Sequence, residues 1–188
     1  MSGRNSFRKF GFLISILSKL FNLLPLNLAC YFSSFFDSSE SRFSLLIRYL
    51  LLKRLCISVG ENIFIGKNVV LKNISNLELG SNVSIHSFSY IDAVGYIKIG
   101  NDVSIAHNCS LVSFEHTWDD PNVAIKYNRI KLAPITIDDD VWIGCGVRIL
   151  SNSSISNRCV IAAGAVVKGV LDSNSVYGGV PARKLKSI

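Results

Sequence analysis

The sequence predicts a mainly β protein: a three-sided solenoid of short parallel strands, entered through a basic, apolar helical leader. Three observations predict it. An aliphatic residue recurs every sixth position at Val59, Ile65, Leu71; Leu79, Ile85, Ile91; Ile99, Ile105, Leu111; and Ile137, Ile143, Ile149, Ile155, Ile161, Val167. Four residues after most of these stands a small or β-branched side chain, among them Val69, Val83, Ser89, Val103, Cys109, Val147, Cys159 and Ala165. Gly60, Gly66, Gly80, Gly100 and Gly144 directly follow the aliphatic position. A helix demands a period near 3.6 and an ordinary strand a period of 2, and fifteen aliphatic positions in a six-residue register fit neither.

Residues 1–56 are expected to be amphipathic helices. In Phe10 to Leu24, FGFLISILSKLFNLL, the polar Ser15, Ser18, Lys19 and Asn22 fall on one narrow stripe and apolar residues fill the rest. The run is too short to span a bilayer and Lys19 interrupts it, so it is read, alone or as one of a helical pair, as lying on a membrane surface or as capping the main domain or a neighbouring subunit. A second apolar stretch, Phe43 to Leu55, is punctuated by Arg48, Lys53 and Arg54. The start resembles an export signal only superficially, because Lys19 breaks its apolar core and Asn27 spoils the "NLAC" motif ending at Cys30. A cytoplasmic protein, peripheral at the inner face of the membrane, is expected.

Charge supports that division. The net charge is +7, of which residues 1–56 carry +6 and the remaining 132 residues +1. A nucleic-acid partner is excluded, since it would need a basic groove on the folded domain. The five cysteines are scattered and odd in number, which argues against a disulfide framework or a zinc site.

The solenoid is expected over 57–172, with about five coils. Each hexapeptide makes one short strand and one bend, so three close a triangular turn, with Gly or Asn taking the tight bend. Residues 173–188 are read as a C-terminal cap. Between Leu111 and Ile137 the repeat is interrupted by 112–136, too long for a corner of the prism, and a long excursion from a rigid scaffold is usually functional. It carries His116, Trp118, Asp119, Asp120 and Tyr127.

The approach "IAHNCSLVSFEH", the return "IDDDVWIG" and the terminal "VYGGVPARK" resemble the hexapeptide-repeat acyltransferases, in particular the maltose/galactoside and polysaccharide O-acetyltransferase branch. The resemblance implies a left-handed parallel β-helix, acetyl-CoA as co-substrate, no metal, and a homotrimer with sites between adjacent prisms. It places the catalytic histidine at His116, and a hydroxyl nucleophile needs such a general base. Glu115, Asp119 and Asp120 are all within reach as partners for the ring, and no spacing rule selects one. The resemblance further implies coenzyme A contacts from the backbone of Cys145 in "WIGCG" and Ala163 in "IAAGAVV". It puts Lys168 and Arg183 on the phosphates. Acceptor contacts are implied at His86, Asp92 and Trp142. His86, His107 and His116 are spaced by 21 and 9 residues, a poor match to the three-histidine metal site found on this fold.

The activity expected is transfer of an acetyl group to a carbohydrate hydroxyl, of a bacterial surface polysaccharide such as O-antigen or capsule, or its lipid-linked precursor. Serine O-acetylation, amino-sugar N-acetylation and a non-catalytic scaffold are the alternatives. The long loop with its histidine argues against the scaffold, which needs no base.

Overall fold

The computed structural model describes residues 3–25, 27–29 and 38–188, with side chains from residue 10 onward. Cys30 lies outside the described residues. Helix α1 spans Gly3–Phe21 and α2 spans Arg42–Leu55. From there the chain is a parallel β-helix. The first coil holds β1 (Ser58–Val59), β2 (Phe64–Ile65) and β3 (Val70–Lys72); the second β4 (Leu77–Leu79), β5 (Ser84–Ile85) and β6 (Tyr90–Asp92); the third β7 (Ile97–Ile99), β8 (Ser104–Ile105) and β9 (Ser110–Val112). A hairpin of β10 (Phe114–His116) and β11 (Ile130–Leu132) then leaves the solenoid. The fourth coil resumes with β12 (Ile135–Ile137), β13 (Trp142–Ile143) and the start of β14 (Arg148–Ile155), which rounds a corner into the fifth. There β15 (Cys159–Ile161) and the start of β16 (Val166–Leu171) follow.

Strands at equivalent places stack in parallel and in register. On the first face Leu79 lies over Ile99 and Ile99 over Ile137; on the second Ile105 over Ile143 and Ile143 over Ile161; on the third Ile91 over Leu111 and Leu111 over Ile149. These residues form the core, because both the aliphatic position and the small position four residues on point inward. Ile85, Ile105, Ile143 and Ile161 are fully buried, and so are Cys109 and Ala165 from the small slots. Each buried aliphatic side chain contributes roughly 1.5–3 kcal/mol.

Two expectations are corrected. The solenoid has about six turns rather than five. The end of β16 returns to the first face beside the end of β14, and β17 (Ser175–Gly178) stacks on β15. The hexad count misses this turn because the corner at 150–152 faces the single residue Lys168, which breaks the spacing. The last strand, β18 (Arg183–Ser187), folds back antiparallel on β17. The second concerns which glycines take the bend: Gly146 and Gly164 do, as expected of glycine, but those directly after the aliphatic position do not. The left-handed bend falls three residues after the aliphatic position, on Asn62, Asn68, Asn82, Asn108 and Asn174 among others, and asparagine tolerates it. The glycines beside the aliphatics answer to stacking instead. A Cβ on Gly60 would lie 2.5 Å from the carbonyl carbon of Gly80, and one on Gly80 2.6 Å from that of Gly100.

Helix α2 closes the open end of the first coil. Ser41 caps it by accepting from the Ser44 amide at 3.2 Å. Leu52 enters the solenoid core, the Tyr49 hydroxyl donates to the Gly60 carbonyl at 3.0 Å, and Arg48 donates to the Gly66 carbonyl at 2.8 Å. Helix α1 packs on α2's outer side, where Phe21 and Ile47 border a small cluster of Ala29, Leu51 and Leu55. The second apolar stretch of the leader is therefore a solenoid cap. No helix among the described residues is long and apolar enough to cross a membrane.

Candidate functional site

The excursion is a clamped hairpin. At its neck the buried Ser113 hydroxyl donates to the Asp92 carbonyl at 2.7 Å and accepts from the Gly95 amide at 2.8 Å, and the Ala133 amide donates to the Ser113 carbonyl at 3.0 Å. Along its stem Phe114 faces Leu132, Glu115 faces Lys131 and His116 faces Ile130. Past the stem, Thr117 donates from both its amide and its hydroxyl to the Arg129 carbonyl, each at 3.0 Å. The tip closes on the buried Asn128 side chain, which accepts from the Asp120 amide at 3.1 Å and donates to the carbonyls of Asp120 and Val123. Nothing in the repeat points to Ser113 or Asn128. Their signal is only that polar side chains flank a long loop.

His116 is exposed on this stem, with its ring 6.4 Å from that of Phe114 in an edge-on arrangement. It lines a cavity of about 580 Å³ together with Glu115, Thr117, Trp118, Asp119, Arg129, Ile130 and Lys131. Trp118 is 72% exposed, and so offers a free apolar face beside the imidazole. The three acidic candidates for orienting the ring each turn elsewhere. Glu115 accepts from the Lys168 ammonium at 2.5 Å, Asp119 from Arg129 at 2.7 Å, and Asp120 from the Asn122 amide at 2.9 Å. The hydrogen bond from Lys168 holds the Glu115 carboxyl below the ordinary carboxylate range.

Of the remaining candidate residues, Lys168 and Asp92 lie at the hairpin and the others elsewhere on the solenoid. Cys145 and Ala163 stack in one corner column between the second and third faces, since the Gly164 amide donates to the Cys145 carbonyl at 2.9 Å. The hairpin leaves from the corner at the other edge of that third face, so one chain does not bring His116 together with Cys145 and Ala163. Arg183 is exposed on β18 and donates to the Ala182 carbonyl at 3.2 Å. Lys168 sits at the tight corner of the fifth coil, engaged by Glu115. Trp142 stands exposed on the second face in a separate depression with Asp102, Ser104, Asp140 and Arg158. His86 is exposed at the corner of the second coil, 5.3 Å from the Phe64 ring. Asp92 is buried. It accepts from the Asn73 amide nitrogen at 2.6 Å and from the Val94 backbone at 3.2 Å, directly under the hairpin neck.

The thiols of Cys109 and Cys159 are pushed up by burial, and burial pushes Cys56 up to about 12. None of these three is a nucleophile in waiting. No group of three or more His, Cys, Asp or Glu among the described residues is arranged to hold a metal ion.

The family profile "Bacterial transferase hexapeptide (six repeats)" matches residues 134–169. A probable acetyltransferase of Mycobacterium tuberculosis is 32% identical over 132 residues, 70% of this chain, and the chain spans only 44% of that relative's length. A putative lipopolysaccharide biosynthesis O-acetyl transferase of Escherichia coli is 28% identical, with 69% of this chain and 71% of the relative covered. Galactoside O-acetyltransferase of Escherichia coli is 32% identical, with 75% and 68% covered. Among solved structures, a maltose O-acetyltransferase from Clostridium difficile superposes with a TM-score of 0.77 at 28% identity, covering 86% of this chain and 85% of that one. A hexapeptide-repeat acetyltransferase from Vibrio cholerae in complex with acetyl coenzyme A gives 0.75 at 26%, covering 85% and 84%. Identity and coverage of this kind, on a β-helix interrupted by one clamped hairpin, make this chain a member of the hexapeptide-repeat acetyltransferase family.

Proposed function

We propose that the protein transfers an acetyl group from acetyl-CoA to a carbohydrate hydroxyl, with His116 as general base. The observation that carries the reading is the exposed imidazole on a stem fixed at neck and tip, lining a cavity with a free indole face. An apolar aromatic face beside polar groups suits a sugar ring, whose C–H side stacks while its hydroxyls hydrogen-bond. In the reaction the acceptor oxygen attacks the thioester carbonyl as its proton passes to the imidazole. The tetrahedral intermediate then collapses, the carbon–sulfur bond breaks, and the departing thiolate takes the proton back. The products are the O-acetyl ester and coenzyme A. The likeness to acetyltransferases, one of them in complex with acetyl coenzyme A, supports the donor.

The acceptor proposed is a glycan of a bacterial surface polysaccharide or its lipid-linked precursor, supported by likeness to a putative lipopolysaccharide O-acetyl transferase. The protein is proposed to act in the cytoplasm as a homotrimer. His116 and the corner of Cys145 and Ala163 lie at opposite edges of one face, so a second chain would supply the thioester side of each site. The backbone at Cys145 and Ala163 would hold the pantetheine amides, Arg183 a phosphate, and His86 and Trp142 the acceptor from the neighbouring wall, while Asp92, buried under the neck of the hairpin that carries His116, would support that hairpin.

Thiol release from acetyl-CoA in the presence of bacterial glycan acceptors tests the reading. Wild type is expected to release thiol only with an acceptor present, and His116→Ala to lose about 10²–10⁴-fold in kcat. Undiminished release by the variant would remove His116 from the mechanism.

A further inference from the structure

Helix α1 is apolar around most of its circumference, yet it turns an apolar face away from the molecule. Gly11, Ile14, Leu17, Ser18 and Phe21, spaced by three and four, are half-buried on the side that meets α2. On the opposite side Phe12 is 84% exposed and Leu23, just past the helix, 81%, with Leu13, Ile16 and Leu20 also exposed between them. A helix on a water-facing surface carries polar residues on its outer side. Here the exposed polar residues Ser15, Lys19 and Asn22 flank that stripe on one side only.

Charge identifies the cover. Arg4, Arg8, Lys9 and Lys19 all lie in α1, and the first acidic residue of the chain is Asp37. A second copy of α1 would bring the same four cationic residues again, and neither helix carries a carboxylate. An anionic lipid surface satisfies both features at once, since it takes the apolar side chains and neutralises the cations. We propose that α1 is an interfacial docking helix, lying in the plane of an anionic bilayer with Phe12, Ile16, Leu20 and Leu23 inserted. On the proposed acetyl transfer, which this step alone assumes, docking restricts the natural acceptor to glycans held at the membrane by a lipid.

The test is cosedimentation of the full chain with vesicles. Binding is expected to phosphatidylglycerol/phosphatidylcholine vesicles, at least about tenfold weaker to phosphatidylcholine alone, and weakened by about 0.5 M salt. Phe12→Glu/Ile16→Glu is expected to lose at least about tenfold in partitioning while its circular dichroism and its thiol release with a soluble acceptor match wild type. If that variant fails to fold, Leu23→Ser beyond the helix end makes the same comparison. Undiminished binding by the variants, or equal binding to neutral vesicles, would overturn the proposal, as would a fall in oligomer mass on substitution, which would assign the stripe to a second copy. Wild type that sediments as expected but releases no thiol with any acceptor would refute the proposed reaction and leave the docking helix standing.

Discussion

Lys168 illustrates how a single side chain changes meaning between sequence and structure. Its resemblance-implied role is a phosphate contact, but its ammonium meets Glu115, the residue next to His116, from 53 positions away. The two roles predict different kinetics. A phosphate ligand replaced by methionine raises KM for acetyl-CoA and leaves kcat alone. A hairpin anchor lowers kcat at nearly constant KM, and Glu115→Gln reproduces the effect. The structure leads us to expect the second pattern, with kcat down by about tenfold, the size of loss that a small misplacement of a catalytic group produces. Because the Glu115 carboxyl is held below its ordinary range, the pair is complete above that range and is lost only as pH falls through the depressed value. Proteolysis of the hairpin should therefore stay slow from about pH 8 down to about pH 5, and accelerate in Glu115→Gln across that whole span. Trp118→Ala is expected to raise KM for the acceptor by about tenfold with little change for acetyl-CoA, as loss of one stacking face should.

At the scale of the element, the hexapeptide is the unit that was legible. The aliphatic positions announced themselves by spacing because every sixth side chain must fill the prism, and Ile105, Ile143 and Ile161 are all fully buried as that requires. Ile143→Ala is expected to cost about 2–5 kcal/mol of stability in chemical denaturation. Gly80→Ala should also destabilise, since its Cβ meets Gly100 backbone that cannot move aside. An Asn82→Gly change at the left-handed corner should cost much less, because glycine adopts that bend freely. The sequence could not separate these two glycine-like needs, as close stacking and a tight bend both favour small or permissive residues two positions apart. The hairpin was legible as an interruption carrying a histidine. Its clamps were not, because Ser113 and Asn128 act through backbone partners that no spacing rule marks.

For the whole molecule, helical content, the repeat and the long loop sufficed to give the class of the fold, while the sixth turn escaped. It begins where the short corner at Lys168 breaks the period, and β18 then reverses direction. The place of α2 stayed open in the sequence, between a membrane surface and a cap, for a different reason. An apolar helix reads alike whether it meets lipid or protein, and the burial of Leu52 in the coil core with the Tyr49 and Arg48 contacts to coil backbone shows which. Placing His116 and the Cys145–Ala163 corner at opposite edges of a face has one consequence at this scale. Mixed oligomers of two inactive variants, His116→Ala and Ala163→Trp, should recover activity when unfolded and refolded together, whereas a site within one chain would recover none.

The most direct test of the account is a structure of the assembled protein with coenzyme A bound, read for the distance from the nearer imidazole nitrogen of His116 to the thiol sulfur. The account predicts a separation within about 5 Å, across a boundary between two chains. A ring more than about 12 Å from every bound sulfur would contradict it, because no proton could then pass between them in the transfer step.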